Sequence, residues 1–314
     1  MNRPRQLFVA VTCLWSACAS EVVEIPQQGA AIDVHLHLAS PGLTALFAGD
    51  EVPAPTAAGL IQLLNEANVE RGVVLSPGYM AFPDDSYPPV ENDYVAEQIA
   101  EYPDRLLGFC GVNPRFPSAP DEVSRCLQLP GMLGVKLHLP GSEVDLHDAE
   151  QVAALSAVFD RIEQEKAPVM MHEGGLWSQP LDNESFVKLA EIITSHPSVR
   201  IAHAHCAGNT DDATIERWLR VEGSGWGENA YVDTSACLKF YKDAPLATRE
   251  LIVWRFRKWG IERVLFGSDY IEFKPEETPG EALDTLREYP FTQEELDTIL
   301  SNDGSEWLGP LVDR

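Results

Sequence analysis

The sequence predicts an α/β protein whose eight parallel strands close into a (β/α)8 barrel of the TIM type. Three observations predict it. Short apolar runs rich in Val, Ile, Leu and Phe alternate eight times with amphipathic helical patterns, as strands buried on both faces do. No break in composition divides the chain, and its 314 residues suffice for one barrel of about 250 residues. Six of the eight histidines fall at or near the carboxyl ends of the apolar runs, the mouth at which such barrels carry their sites.

The amino terminus stands apart from this pattern. Arg3 and Arg5 precede an apolar run, Leu7 to Trp15, broken only by Thr12, and small residues follow from Ser16 to Ser20. Residues 1–19 therefore read as an export signal; the run is too short to cross a bilayer as a helix. Ser16-Ala17-Cys18 resembles a bacterial lipoprotein box with Cys18 lipidated, although Trp15 stands where Leu is usual. Ala17-Cys18-Ala19 also fits plain cleavage before Ser20. An exported bacterial protein is expected, periplasmic or anchored to the outer membrane as a lipoprotein. Residues 20–30 form a linker, and 31–314 form the barrel domain.

Strands are expected at Ala31–His37, Gly72–Ser76, Leu106–Asn113, Leu133–His138, Pro168–His172, Val199–His205, Ala230–Ser235 and Arg263–Asp269. Helices are expected between them. Thr56–Val69 has an N-cap at Thr56, Asn92–Glu101 follows, and Asp121–Gln128 is short. Asp148–Lys166 carries Val152, Leu155, Val158, Phe159 and Ile162 on one stripe. Ser185–Ser195 opens on a capping residue, and Asp212–Val221 and Pro245–Trp259 come next. Thr292–Leu300 begins with a capping box from Thr292 and Glu295. Cys110, Cys126, Cys206 and Cys237 are expected to be free, since three of them lie in buried apolar runs and no spacing suits a zinc knuckle.

The net charge of −26 excludes a phosphate backbone as partner. A small-molecule substrate is expected instead. Membrane contact would come only through a lipid anchor, and a homo-oligomer is left open.

The chemistry starts at Asp33-Val34-His35-Leu36-His37. Alternate strand residues share a face, so His35 and His37 point together, with Asp33 placed to fix an imidazole tautomer. Neutral imidazole and carboxylate suit zinc and similar divalent ions. His35, His37, His172 and Asp269 make the candidate metal shell, for one ion, with zinc as the first expectation. Asp269 doubles as general base, with His203 or His205 as the acid–base group beside the metal. A lone His-x-His is a weak signal. Its convergence with His172, the sixth-strand histidines and Asp269 at neighbouring strand ends is a strong one.

These residues resemble the amidohydrolase superfamily, and within it the amidohydrolase-2 branch of metal-dependent hydrolases and non-oxidative decarboxylases of aromatic acids. The resemblance covers roughly residues 31–305. It is carried by His35 and His37 on the first strand, Val169-Met170-Met171-His172 on the fifth, Ile201-Ala202-His203-Ala204-His205 on the sixth and Leu265-Phe266-Gly267-Ser268-Asp269 on the eighth. Gly134-Val135-Lys136-Leu137-His138 is similar to the family's fourth strand. The resemblance favours His203 over His205 as the sixth-strand residue, from the spacing to Asp211-Asp212-Ala213. Lys136 leaves a second ion open, because some superfamily members carry a carboxylated lysine there.

Substrate contacts are expected from Arg115, Lys136, His138 and Trp177, with Phe47, Tyr79, Phe82 and Tyr87 on the surrounding loops. The leading expectation is a hydrolase that cleaves an amide, ester or lactone with metal-activated water. The alternatives are a decarboxylase of an aromatic or unsaturated carboxylic acid, and a lipoprotein that binds metal or ligand without catalysis.

Overall fold

The computed structural model describes residues 29–174, 181–207, 217–218, 229–271 and 277–309. Its eight strands are β1 (Ile32–His37), β2 (Arg71–Leu75), β3 (Leu106–Gly111), β4 (Met132–His138), β5 (Val169–His172), β6 (Ile201–His203), β7 (Ala230–Asp233) and β8 (Val264–Leu265). They pair in parallel, in the order β1-β2-β3-β4-β5-β6-β7-β8. The residues after β8 close the ring onto β1, because Val34 N donates to Phe266 O, Asp269 N to His35 O and His37 N to Tyr270 O at 2.8–2.9 Å. The expected (β/α)8 barrel is the observed one.

Each strand is buried on both faces, so the core has two parts. The lumen is filled by Ile32, Val34, Val73, Leu75, Leu107, Phe109, Met170, Ala202, Ala204 and Leu265. Trp307, on a short helix (Ser305–Leu308), plugs this lumen from the end opposite the strands' carboxyl termini, its Nε1 donating to Val169 O. A larger outer layer packs the strands against the helices through residues such as Leu64, Phe159, Ile193 and Phe256.

The helices begin where their caps dictate. Thr56, Asp148 and Thr292 cap the helices Ala57–Glu66, Ala149–Glu165 and Gln293–Ser301, the last with a complete capping box. The helix expected from Ser185 starts at Asn183 instead, because the Asp182 carboxylate accepts from Ser185 N. The helix expected from Asn92 starts at Tyr87, with Pro88 and Pro89 in a first turn that needs no donor from them. Among the described residues, helices also lie where no element was expected, at Pro41–Ala48, Cys237–Tyr241, Pro279–Glu288 and Ser305–Leu308. Of the helix expected over 212–221, only Arg217 and Trp218 are among the described residues. The export signal expected over residues 1–19 also lies outside them.

The expectation of free cysteines is corrected. Cys110 on β3 pairs with Cys126 at the end of the helix that follows it, Cα atoms 6.0 Å apart. Cys206 pairs with Cys237, Cα atoms 6.1 Å apart, joining the chain just past β6 to the chain just past β7. Burial in apolar runs did bring the sulfurs into the core; it also brought them together. In the chain-entropy account each bridge stabilises the fold by about 3–4 kcal/mol. Replacing Cys206 and Cys237 by Ser is therefore expected to lower the urea midpoint of the oxidised protein, and dithiothreitol should then have less left to remove.

Candidate metal centre at the barrel mouth

The strand ends bring His35, His37, Lys136, His138, His172, His205 and Asp269 to one mouth. Asp269 Oδ1 lies 3.2 Å from His35 Nε2 and 3.3 Å from His37 Nε2. The opposite ring nitrogens fix which atoms carry protons. His37 Nδ1 faces the carbonyl of Leu75 at 3.1 Å, and a carbonyl only accepts, so Nδ1 bears the proton. His35 Nδ1 faces the Asp233 carboxylate at 2.7 Å and bears its proton too. Both Nε2 atoms are then lone pairs, and they converge on a carboxylate oxygen that also only accepts. Three acceptors with no proton of their own between them make a place for a cation, with the Lys136 amine a donor beside them, 3.3 Å from His35 Nε2. The Nε2 of His172, buried and without a hydrogen-bond partner, is a third ring nitrogen at the same mouth, outside the tight group of His35, His37 and Asp269. This donor set fits a divalent ion.

Electrostatics keep the ligands in the forms a metal needs. Burial holds the imidazoles of His35, His138 and His172 well below their usual range, so they stay neutral. Lys136 is buried with Nζ 3.3 Å from His35 Nε2. Burial lowers it to about 8, against the pull of Asp269, Asp233 and Glu173.

A ring stack forms the wall beside the ligands. Tyr79 stacks on His138 with centroids 4.8 Å apart, His138 on His172 at 4.0 Å, and His172 meets His205 edge-on at 4.6 Å. His138 Nδ1 accepts from Gly141 N, so its Nε2 carries the proton and is a donor.

The backbone at this mouth is unusual. His205, Cys206, Ala207, Ala236 and Asp269 all have left-handed φ between 50° and 63°. For residues with a Cβ this conformation costs of order 1–3 kcal/mol each, and it persists where surrounding contacts over-determine it. At β6 it decides which histidine serves the site. Ile201 faces the outer layer, and Ala202 and Ala204 face the lumen. Plain alternation would keep His203 and His205 on the same outward face. The left-handed turn swings His205 back to the mouth, its ring 4.9 Å from that of His35.

His203 does not join the cluster. It stays behind the sheet, where its Nδ1 pairs with Glu173 Oε1 at 2.7 Å, Trp218 Nε1 donates to the same oxygen, and its ring lies beside Trp218 and Trp259. The expectation that favoured His203 over His205 thus meets a geometry that brings His205, and not His203, to the metal ligands.

Asp33 also departs from expectation. A bulge between Asp33 and Leu36 breaks the alternation of β1: Ile32 and Val34 face the lumen, while Leu36 and Leu38 face the outer layer. Asp33 therefore leaves the histidines' face and accepts from the backbone of His35 and Ser268. Burial pushes its carboxyl up to about 7. The carboxylate that fixes the His35 tautomer is Asp233, which carried no motif in the sequence. Its position at a strand end was the one available signal, and the same holds for Ser235.

Among the expected substrate contacts, Lys136 and His138 reach the mouth. Arg115 is half-exposed and paired with Glu143 Oε2 at 3.0 Å, away from the ligands. Trp177 lies outside the described residues.

Comparison with known proteins agrees with the barrel fold. The family model described as amidohydrolase matches residues 32–302. A 2-amino-3-carboxymuconate-6-semialdehyde decarboxylase of Dictyostelium discoideum is 24% identical over 283 residues, 79% of this chain and 75% of the relative. Among solved structures, a 2,6-dihydroxybenzoate decarboxylase complexed with 2,6-dihydroxybenzoate superposes with a TM-score of 0.65 at 18% identity, covering 90% of this chain and 99% of its own. A probable 2-pyrone-4,6-dicarboxylic acid hydrolase from Acinetobacter baumannii gives 0.63 at 19% identity, covering 89% and 99%. A dihydroxybenzoic acid decarboxylase from Polaromonas sp. JS666, with bound manganese, gives 0.61 at 16% identity, covering 89% and 97%.

Proposed function

The chain belongs to the amidohydrolase family, whose model spans residues 32–302, and from that premise we propose that it is a metal-dependent decarboxylase of a small aromatic or unsaturated carboxylic acid. One observation carries this over simple hydrolysis. Lys136 is a buried basic group at the mouth, its Nζ 3.3 Å from His35 Nε2. A buried amine beside the candidate metal ligands suits an acidic substrate, to whose carboxylate it donates hydrogen bonds, and the relatives include decarboxylases.

His35, His37, His172 and Asp269 would hold one divalent ion, zinc or manganese. Bound there, it supplies positive charge that binds substrate oxygens and stabilises negative charge as it develops. Lys136 orients the substrate carboxylate. Tyr79 and His138 present an aromatic wall, and the His138 Nε2–H donates to a substrate oxygen. His205 relays the proton: its Nε2 takes one up from solvent while Nδ1 keeps its own, the bond from the carboxyl carbon to its neighbour breaks, carbon dioxide leaves with no added water, and the electron pair left behind takes the Nε2 proton. A second reading, hydrolysis of a lactone or amide, uses the same ligands with His205 as base toward water; the hydrolase among the structural neighbours favours it. The basic start, apolar run and small residues of positions 1–19 support an exported enzyme, periplasmic or lipid-anchored.

The test is a panel of carboxyl-13C aromatic and unsaturated acids, lactones and amides, incubated with metal-loaded protein with and without chelator. Chelator-sensitive release of labelled carbon dioxide supports the decarboxylase. Ring opening or amide cleavage without it supports the hydrolase. Metal binding with neither reaction supports a binding protein.

A further inference from the structure

We propose that Asp233 and Ser235, at the end of β7, form one buried hub that fixes the tautomers of both His35 and His205, so that a single carboxylate positions a metal ligand and the proton-transfer group together. The proposal rests on the reading of this mouth as a metal-dependent active site. Ser235 Oγ lies 2.6 Å from Asp233 Oδ1, and a carboxylate only accepts, so the hydroxyl proton points there. Ser235 Oγ is then an acceptor for His205 Nδ1 at 2.9 Å and His35 Nδ1 at 3.1 Å. The carbonyl of Ser235 faces His205 Nδ1 as well, at 3.2 Å, and requires a proton on the same nitrogen.

Asp233 takes four donors in all. Oδ2 accepts from His35 Nδ1 at 2.7 Å, and Oδ1 accepts from the Ser235 hydroxyl, from His205 N at 2.7 Å and from Ser235 N at 3.1 Å. The His205 backbone contact holds the left-handed turn that swings this histidine to the mouth. All four residues are buried. The crowding has its own signature at Gly267, where a Cβ would sit 3.0 Å from that of His35 and 3.2 Å from that of Ser235. Asp233 and Ser235 touch neither substrate nor metal; they are positioning residues.

The consequence is a division of labour between two atoms. Removing the Ser235 hydroxyl leaves His35 held by Asp233 Oδ2, so the metal stays, and leaves His205 Nδ1 with the Ser235 carbonyl alone, a looser hold on its ring. Removing the Asp233 charge releases both histidines.

The experiment uses full-length zinc-loaded protein labelled with 15N-histidine. Long-range 1H–15N spectra read each ring, zinc titration reads affinity, and kcat and KM are measured on whichever acid releases carbon dioxide. In wild type both rings show the Nδ1–H tautomer. Ser235→Ala keeps zinc affinity within about twofold and lowers kcat roughly 10–100-fold at unchanged KM, while Ser235→Thr, which keeps the hydroxyl, restores it. Asp233→Asn weakens zinc binding roughly 10–100-fold. An Nε2–H tautomer on His205, a Ser235→Ala variant with wild-type kcat, or unchanged zinc affinity in Asp233→Asn overturns the proposal. If no acid is turned over, the functional reading fails, and the tautomer and zinc measurements still decide the hub.

Discussion

Asp269→Asn is expected to lose its divalent ion and to lower kcat/KM roughly a thousandfold or more, as removal of several kcal/mol of charge stabilisation implies. Asp269 Oδ1 is the acceptor on which the lone pairs of His35 and His37 converge at 3.2 and 3.3 Å. Asn keeps the size of the side chain. It also tolerates the left-handed backbone at this position, where φ is 63°, so the substitution tests charge more than fold. The new amide can turn its NH2 group toward the two Nε2 atoms and satisfy them, which removes the reason for a cation to bind. The apo variant should therefore melt no lower than the apo wild type. Metal analysis of dialysed protein, with calorimetric melting, checks both parts.

His205→Asn is expected to keep the metal and lower kcat by about 10²–10⁴-fold, the ordinary contribution of a positioned acid–base group. Asn again suits the left-handed backbone, here with φ of 56°. The matching change behind the sheet should do the opposite. His203→Gln breaks the buried contact with Glu173 Oε1 and leaves that carboxylate short of a donor, for a cost of about 1–3 kcal/mol in stability. The rate of the folded fraction should be near that of wild type. Melting temperature and kcat measured side by side on the two variants separate these roles. A His203 variant that is stable but inactive would return the assignment to His203.

The contrast shows how far the sequence reaches. The barrel was legible because eight strand–helix alternations leave few other folds, and both faces of each strand had to be apolar. His35, His37, His172 and Asp269 were legible because parallel strand ends converge whatever their separation along the chain. What defeated the reading was backbone that departs from regular strand. The bulge in β1 moved Asp33 off the histidines' face. The left-handed turn after β6 separated His203 from His205, two residues that alternation would keep together. Neither device carries a residue signature strong enough to read, since Cys and Ala do not favour a positive φ and His, though enriched there, adopts it only in a small minority of cases. Asp233 and Ser235 were missed for another reason. A lone carboxylate and hydroxyl at a strand end gain meaning only from what the neighbouring strands bring to them. The cysteine pairs were missed because the sequence reading separated buried from bonded, and here the sulfurs are both.

The identity of the centre is tested most directly by anomalous diffraction at the zinc edge from crystals of zinc-loaded protein. One peak at the mouth, within bonding distance of His35 Nε2, His37 Nε2, His172 Nε2 and an Asp269 oxygen, is the expected result. A zinc-loaded crystal with no peak there, or with its peak on Glu173 and His203 behind the sheet, would contradict the account.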